Sequence, residues 1–174
     1  MKTQYEEKNA VVSREPLRIL IPRSGEHVHN YGMISKFFHG LSEHKLLYTK
    51  CENPACLGFA YLPPRSDCPN CWEPMKWMEL KPNELTGKVT TFSVVHYPGA
   101  GYEEDLARVE AKLPSIIVYV ELPNIDTKIM SRLENCDPGD VKIGMKVKAR
   151  FRQSLVPRRM PTFTCLDLYF VPVE

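Results

Sequence analysis

The sequence predicts a mainly β protein in three parts: an N-terminal helical arm, a small four-cysteine module and a closed five-stranded barrel. Three observations predict it. Cys51, Cys56, Cys68 and Cys71 fall in two short pairs. Ile34, Phe37, Phe38 and Leu41 recur at helical spacing. From Thr86 onward, five runs rich in β-branched and aromatic residues follow one another with no convincing helix between them. The expected boundaries are residues 1–45 for the arm, 46–80 for the cysteine module and 81–174 for the barrel. A chain of 174 residues has room for such a module beside one compact domain.

Residues 1–30 are polar and irregular, with one apolar cluster, Leu17 to Ile21, closed by Pro22. They read as an arm that docks on something else. Over residues 32–44, Lys36, His39, Ser42 and Glu43 fall between the apolar positions, so the segment is an amphipathic helix whose apolar face needs a cover. The ribbon, the barrel or another chain could supply it.

Leu46-Leu47-Tyr48 reads as a short strand running into the cysteines. Cys51-x4-Cys56 and Cys68-x2-Cys71, separated by eleven residues, suit two knuckles that aim four thiolates at one point. The intervening Leu57 to Pro64 can run out along a strand and return, and Pro54, Pro69 and Asn70 are turn residues. The alternatives are two disulfides or four unrelated thiols, and paired short spacings favour a metal. The result is a rubredoxin-like four-cysteine zinc ribbon. Sulfur ligands alone do not separate zinc from iron, although structural zinc is the commoner occupant. With all four ligands from cysteine no coordination position stays open, so the metal holds structure and does not activate water.

Five strands are expected at Val89–Tyr97, Ile116–Val120, Lys128–Leu133, Met145–Phe151 and Phe163–Val171, with a turn at Asp137-Pro138-Gly139-Asp140 and Gly144 opening the fourth. Five antiparallel strands in about ninety residues suit a closed barrel of the OB type, which removes the exposed edges of an open sheet. A small sandwich is the alternative.

A net charge of +2 is too mild to announce nucleic-acid binding by bulk electrostatics. The first residues lack the apolar core of a signal peptide, and no apolar run reaches the length of a membrane span. A cytoplasmic protein without a membrane partner is the expectation, with Cys136 and Cys165 as free thiols.

The chain resembles a known family in Phe37-Phe38-x-Gly40-Leu41, Leu46-Leu47-Tyr48, the cysteine quartet, Thr86-Gly87-Lys88-Val89-x-x-Phe92-Ser93-Val94 and Gly144-Met145-Lys146-Val147. It is similar to the acyl-CoA-associated zinc-ribbon/OB-fold proteins, once known only as a domain of unknown function. The resemblance covers residues 32–173 and leaves the arm outside. It implies a non-catalytic accessory subunit of a thiolase-fold, acyl-CoA-processing complex. Family members partner acetoacetyl-CoA thiolases, thiolase-like steroid retro-aldolases and the benzoylsuccinyl-CoA thiolase of anaerobic toluene breakdown. In length and ribbon this chain is most similar to the last type. It departs from the family in the four-residue spacing of the first knuckle, usually two, and in Trp72, which stands where a glycine normally follows the last cysteine.

Lys146, Lys148, Arg150 and Arg152 alternate with Val147, Ala149 and Phe151, so the basic residues share one strand face, and Arg158 and Arg159 follow in a loop. A solvated face with a basic loop is the plain reading. With the resemblance, Arg158, Arg159 and Arg152 become candidates for the phosphates of coenzyme A, because guanidinium forks match such oxygens. Single-stranded nucleic acid is the alternative ligand, with Phe163 and Tyr169 as stacking platforms. It is disfavoured because the basic stripe carries no aromatic residue on its own face. The connection Pro98–Ala107, with Gly99, Gly101 and three consecutive acids, reads as a flap. His27, His29, His39, His44 and His96 have no spacing that makes a second metal site. Neither Cys136 nor Cys165 with His96 makes a convincing nucleophile and base, so no catalytic residue is assigned to this chain.

Overall fold

The computed structural model describes residues 32–97, 112–152 and 168–173. The expected arm before residue 30, His27, His29, the flap, the Arg158 and Arg159 loop, Phe163 and Cys165 lie outside the described residues. A 3₁₀ turn, Gly32–Ile34, leads into helix α1, Ser35–Ser42. Its 3.6-residue repeat sets Phe37, Phe38 and Leu41 on one buried face and leaves Lys36 and His39 exposed. The helix stops where His44 takes a left-handed φ of 59°, and the Glu43 N–H caps the carbonyls of His39 and Gly40.

Strands β1 (Leu47–Lys50), β2 (Ala60–Tyr61) and β3 (Lys76–Glu79) form a small antiparallel sheet in the order β2-β1-β3. The barrel follows: β4 (Thr86–Val95), β5 (Ser115–Glu121), β6 (Lys128–Leu133), β7 (Lys146–Phe151) and β8 (Leu168–Pro172). It closes in the order β4-β5-β6-β8-β7, with β7 returning to β4. The expectation of antiparallel pairing throughout fails at one place, because β6 and β8 run parallel, with Arg132 opposite Tyr169 and Leu133 opposite Phe170. The reason is arithmetic: an odd number of strands in a ring cannot alternate direction all the way round. Closure therefore forces one parallel pair.

Period-two alternation fills the barrel interior with Val118 and Val120 from β5, Val147 and Ala149 from β7, and Leu168 and Phe170 from β8. Gly144 does not open β7 but precedes it at φ 87°, a conformation that a side chain would strain. From there its N–H bonds the Val89 carbonyl at 2.7 Å.

The helix, the sheet and the barrel share one apolar core, in which Phe37, Phe38, Leu41, Leu46, Leu62 and Leu80 pack with Val89, Ile129 and Phe170. The cover for the α1 face is thus intramolecular. A polar clamp reinforces the junction. Asp126 Oδ2 accepts from the Ala60 N–H at 2.7 Å, and the Asp126 N–H donates to the Ala60 carbonyl at 3.0 Å. Thr127 Oγ1 accepts from the Leu62 N–H and donates to the Leu62 carbonyl, both at 2.8 Å. Through these bonds the β5–β6 turn completes the free edge of β2. Among the described residues no helix is long and apolar enough to cross a membrane.

Gly87 lies where β4 passes between β5 and β7. A Cβ there would meet the Glu121 carbonyl oxygen at 2.2 Å and Val120 Cγ1 at 2.8 Å. Gly87→Ala is therefore expected to destabilise the protein by about 1–3 kcal/mol, as overpacked sites do. Urea unfolding would show it as a lower midpoint, and an unchanged midpoint would contradict this packing.

Candidate metal centre and the basic face of the barrel

Each knuckle is built by the backbone around its first cysteine. The Cys51 N–H bonds the Phe59 carbonyl at 3.0 Å, and the Cys68 N–H bonds the Glu73 carbonyl at 2.9 Å, so each cysteine lies at the root of a closed loop. The second turn closes with the Trp72 N–H on the Cys68 carbonyl at 2.8 Å. Trp72 has φ 60°, the left-handed geometry that explains why a glycine suits this place, and its side chain is 79% exposed. Beneath the knuckles, Thr49 is fully buried with its hydroxyl used: Oγ1 accepts from the Arg65 N–H at 2.9 Å and faces Met75 Sδ at 3.8 Å.

The four cysteines come together as the sequence spacing predicts. Their sulfurs all lie within 4.8 Å of one another, with Cys51 to Cys71 at 3.6 Å and Cys56 to Cys68 at 3.7 Å. Sulfurs bound about 2.3 Å from one tetrahedral ion would be about 3.8 Å apart. A disulfide would bring two of them to about 2.05 Å. All four thiols are free, and the observed spacing fits the metal.

Charge within the cluster points the same way. The Asn70 N–H, opposed by burial and helped by the Cys71 N–H, holds the Cys68 thiol down at about 7. At Cys51 the Asn53 N–H acts similarly, but burial and the hydrogen bonds of the three other thiols outweigh it and push that thiol up to about 12. Four thiolates in so small a space repel one another, and a divalent cation at their centre removes the conflict.

Among the described residues the histidines join no such cluster. His44 stacks on Phe151 with centroids 5.7 Å apart, while His39 and His96 are exposed. Cys136 is half-buried, and its thiol is pushed up by burial and by the nearby carboxylates of Asp140 and Asp137. A thiol raised in this way stays protonated at neutral pH, the opposite of an activated nucleophile.

On the barrel, β7 carries its basic residues on the outer face as alternation requires, with Val147 and Ala149 buried between them. Lys146 and Arg150 are exposed, Lys148 is half-buried, and Lys146 lies directly opposite Lys88 of β4. Arg152 leaves this stripe. Its guanidinium lies 4.3 Å over the Tyr169 ring and its Nη2 donates to Glu134 Oε1, so the Tyr169 face expected as a stacking platform is already covered. Sequence reasoning missed Arg132 and Glu134, which complete this cluster; their signal is positional, since they share the outer face of the β6 end with Tyr169.

Residues 81–152 match the family model described as ChsH2, C-terminal OB-fold domain. The chain is 31% identical over 121 residues to a DUF35 domain-containing scaffold protein of Methanocaldococcus jannaschii, covering 70% of this chain and 77% of that relative. A protein of the same description from Methanothermobacter thermautotrophicus is 30% identical over 96 residues, 55% of this chain and 65% of its own length. Among solved structures, the Ltp2–ChsH2(DUF35) aldolase superposes with a TM-score of 0.61 at 21% identity, covering 84% of this chain and 98% of that one. A DUF35 protein of unknown function from Sulfolobus solfataricus gives 0.53 at 23% identity, covering 82% and 87%. The structural likenesses carry the fold, and the sequence relationship carries the family. By its cysteine ribbon, its OB barrel and its 31% identity to a relative covered over 77% of its length, this chain belongs to the DUF35 family.

Proposed function

We propose that this chain is a non-catalytic scaffold subunit of a thiolase-fold, acyl-CoA-processing complex, with a structural zinc ion held by Cys51, Cys56, Cys68 and Cys71. The observation that carries the scaffold role is the 31% identity to a relative described as a scaffold protein. A structurally similar chain belongs to an assembly described as an Ltp2–ChsH2(DUF35) aldolase, which is consistent with a role beside an enzyme. The raised Cys136 thiol supports assigning the nucleophile and its base to the partner. This chain would contribute to the coenzyme A pocket through Arg152, Arg158 and Arg159. Within the family, length and ribbon suit the benzoylsuccinyl-CoA thiolase of anaerobic toluene breakdown, and a cytoplasmic location follows from that role.

The zinc ion ties the two knuckles, and its binding energy, on the order of 10–16 kcal/mol in finger peptides, is also folding energy. Elemental analysis of the purified chain is expected to find one zinc per chain. Cys56→Ser and Cys71→Ser should lose it and melt at lower temperature, because the ribbon sheet shares its core with the barrel. Iron in the place of zinc, or full melting temperature in the metal-free variants, would contradict the assignment.

The functional proposal is tested by tagging the chain in its native host and identifying what co-purifies. A stoichiometric thiolase-fold protein, and turnover of benzoylsuccinyl-CoA by the pair but by neither chain alone, is the expected result. Turnover by this chain alone would overturn it.

A further inference from the structure

Alternation along β6 sets Lys128, Met130 and Arg132 on the outer face, and Lys128 and Met130 are exposed there. Arg132 is 4% exposed. Ser115, on the same outer face of β5, is 2% exposed, and the two meet where Arg132 Nε donates to Ser115 Oγ at 3.1 Å. This burial of a cation on an outward-facing position is the break in the barrel's pattern.

The charges that the described residues place around it do not balance. Arg132 and Arg152 both turn towards one oxygen, Glu134 Oε1: Arg152 Nη2 hydrogen-bonds it, whereas Arg132 Nη1 stands 3.6 Å away, too far for a hydrogen bond. Among the described residues Arg132 Nη1 and Arg152 Nε are buried with no hydrogen-bond partner. Among the described residues two guanidinium groups thus face one carboxylate, with one positive charge and two donors left over. Buried donors left unmade, and buried charges left unpaired, are costly and rare in native proteins.

We propose that Arg132 and Arg152 form a subsite for a phosphoryl group, with Glu134 occupying it as an internal placeholder. A phosphoryl dianion neutralises both cations where one carboxylate neutralises one, and guanidinium forks match its oxygens. Access is from the edge, because the Arg152 and Glu134 side chains keep 15% and 22% of their surface while Arg132 lies deeper. The incoming group takes the place of the Glu134 carboxylate beside Arg152. Ser115 opens β5 and Arg152 follows β7, so the cluster lies at the roots of the β4–β5 and β7–β8 connections, the loops through which OB barrels bind ligands. That coenzyme A supplies the phosphate rests on the acyl-CoA reading above; the subsite itself rests on the unbalanced charge.

The experiment is calorimetric titration of the full chain with inorganic phosphate, against chloride at matched ionic strength, and then with coenzyme A. Phosphate binds the wild type, and Glu134→Gln, which removes the competing charge, tightens it roughly tenfold, the equivalent of about 1.4 kcal/mol. Arg152→Gln and Arg132→Gln weaken it by at least about tenfold. Should Arg132→Gln fail to fold, the Glu134 and Arg152 variants decide, since a purely internal ion pair predicts that Glu134→Gln loses stability and gains no affinity. Coenzyme A that displaces phosphate supports the subsite and the acyl-CoA reading together. Phosphate binding that coenzyme A does not disturb supports the subsite and removes coenzyme A as its source. Coenzyme A bound equally by wild type and Arg152→Gln removes coenzyme A as the source of the phosphoryl group while leaving the acyl-CoA reading standing, and phosphate bound equally by the two proteins overturns the subsite. Indifference of both wild type and Glu134→Gln to phosphate overturns it outright.

Discussion

The fold depends on the junction at which the cysteine ribbon is fastened to the barrel. Leu62, fully buried, enters the common core from the ribbon, while the backbone on either side of it is held by Asp126 and Thr127 from the β5–β6 turn. A ribbon of three short strands cannot bury enough apolar surface to stand alone. Here it borrows the barrel's core at one end and gathers four thiols in a metal-ligand arrangement at the other. Helix α1 closes the same core with Phe37 and Phe38. The three parts therefore share one packing problem, and a defect in any of them is felt in the others.

That coupling suits a scaffold. A subunit that positions something else must hold its own surfaces in fixed relation, and a ribbon linked to its barrel only by a flexible tether could not do so. The direct backbone bonds of Asp126 and Thr127 supply the fixed relation. The four thiols at the far end of the ribbon are arranged for a closed coordination sphere, which would add rigidity when a metal fills it.

Much of this was legible in the sequence because its causes are local. Cysteine spacing fixes knuckle geometry within a few residues, and the alternation of Lys146, Val147, Lys148 and Ala149 declares both faces of β7 in the sequence itself. The glycine position occupied by Trp72 was visible as an oddity, and its φ of 60° supplies the reason. What was not legible is non-local. The parallel pairing of β6 and β8 is a property of the closed ring, which no single strand records. Arg132 follows the outward beat of Lys128 and Met130, so only the folded chain reveals that it is buried beside a second arginine. Arg152 was legible as a basic residue of the stripe, yet its pairing with Glu134 depends on the register that brings β6, β7 and β8 together.

Native-state hydrogen exchange, read at Leu62 in the ribbon and Val120 in the barrel, tests the central claim that ribbon and barrel are one cooperative unit. With metal bound, the two amides should exchange through the same opening, with protection factors within about tenfold of each other. Rapid exchange at Leu62 while Val120 stays protected would mean that the ribbon opens independently, and the account of a single fastened core would be wrong.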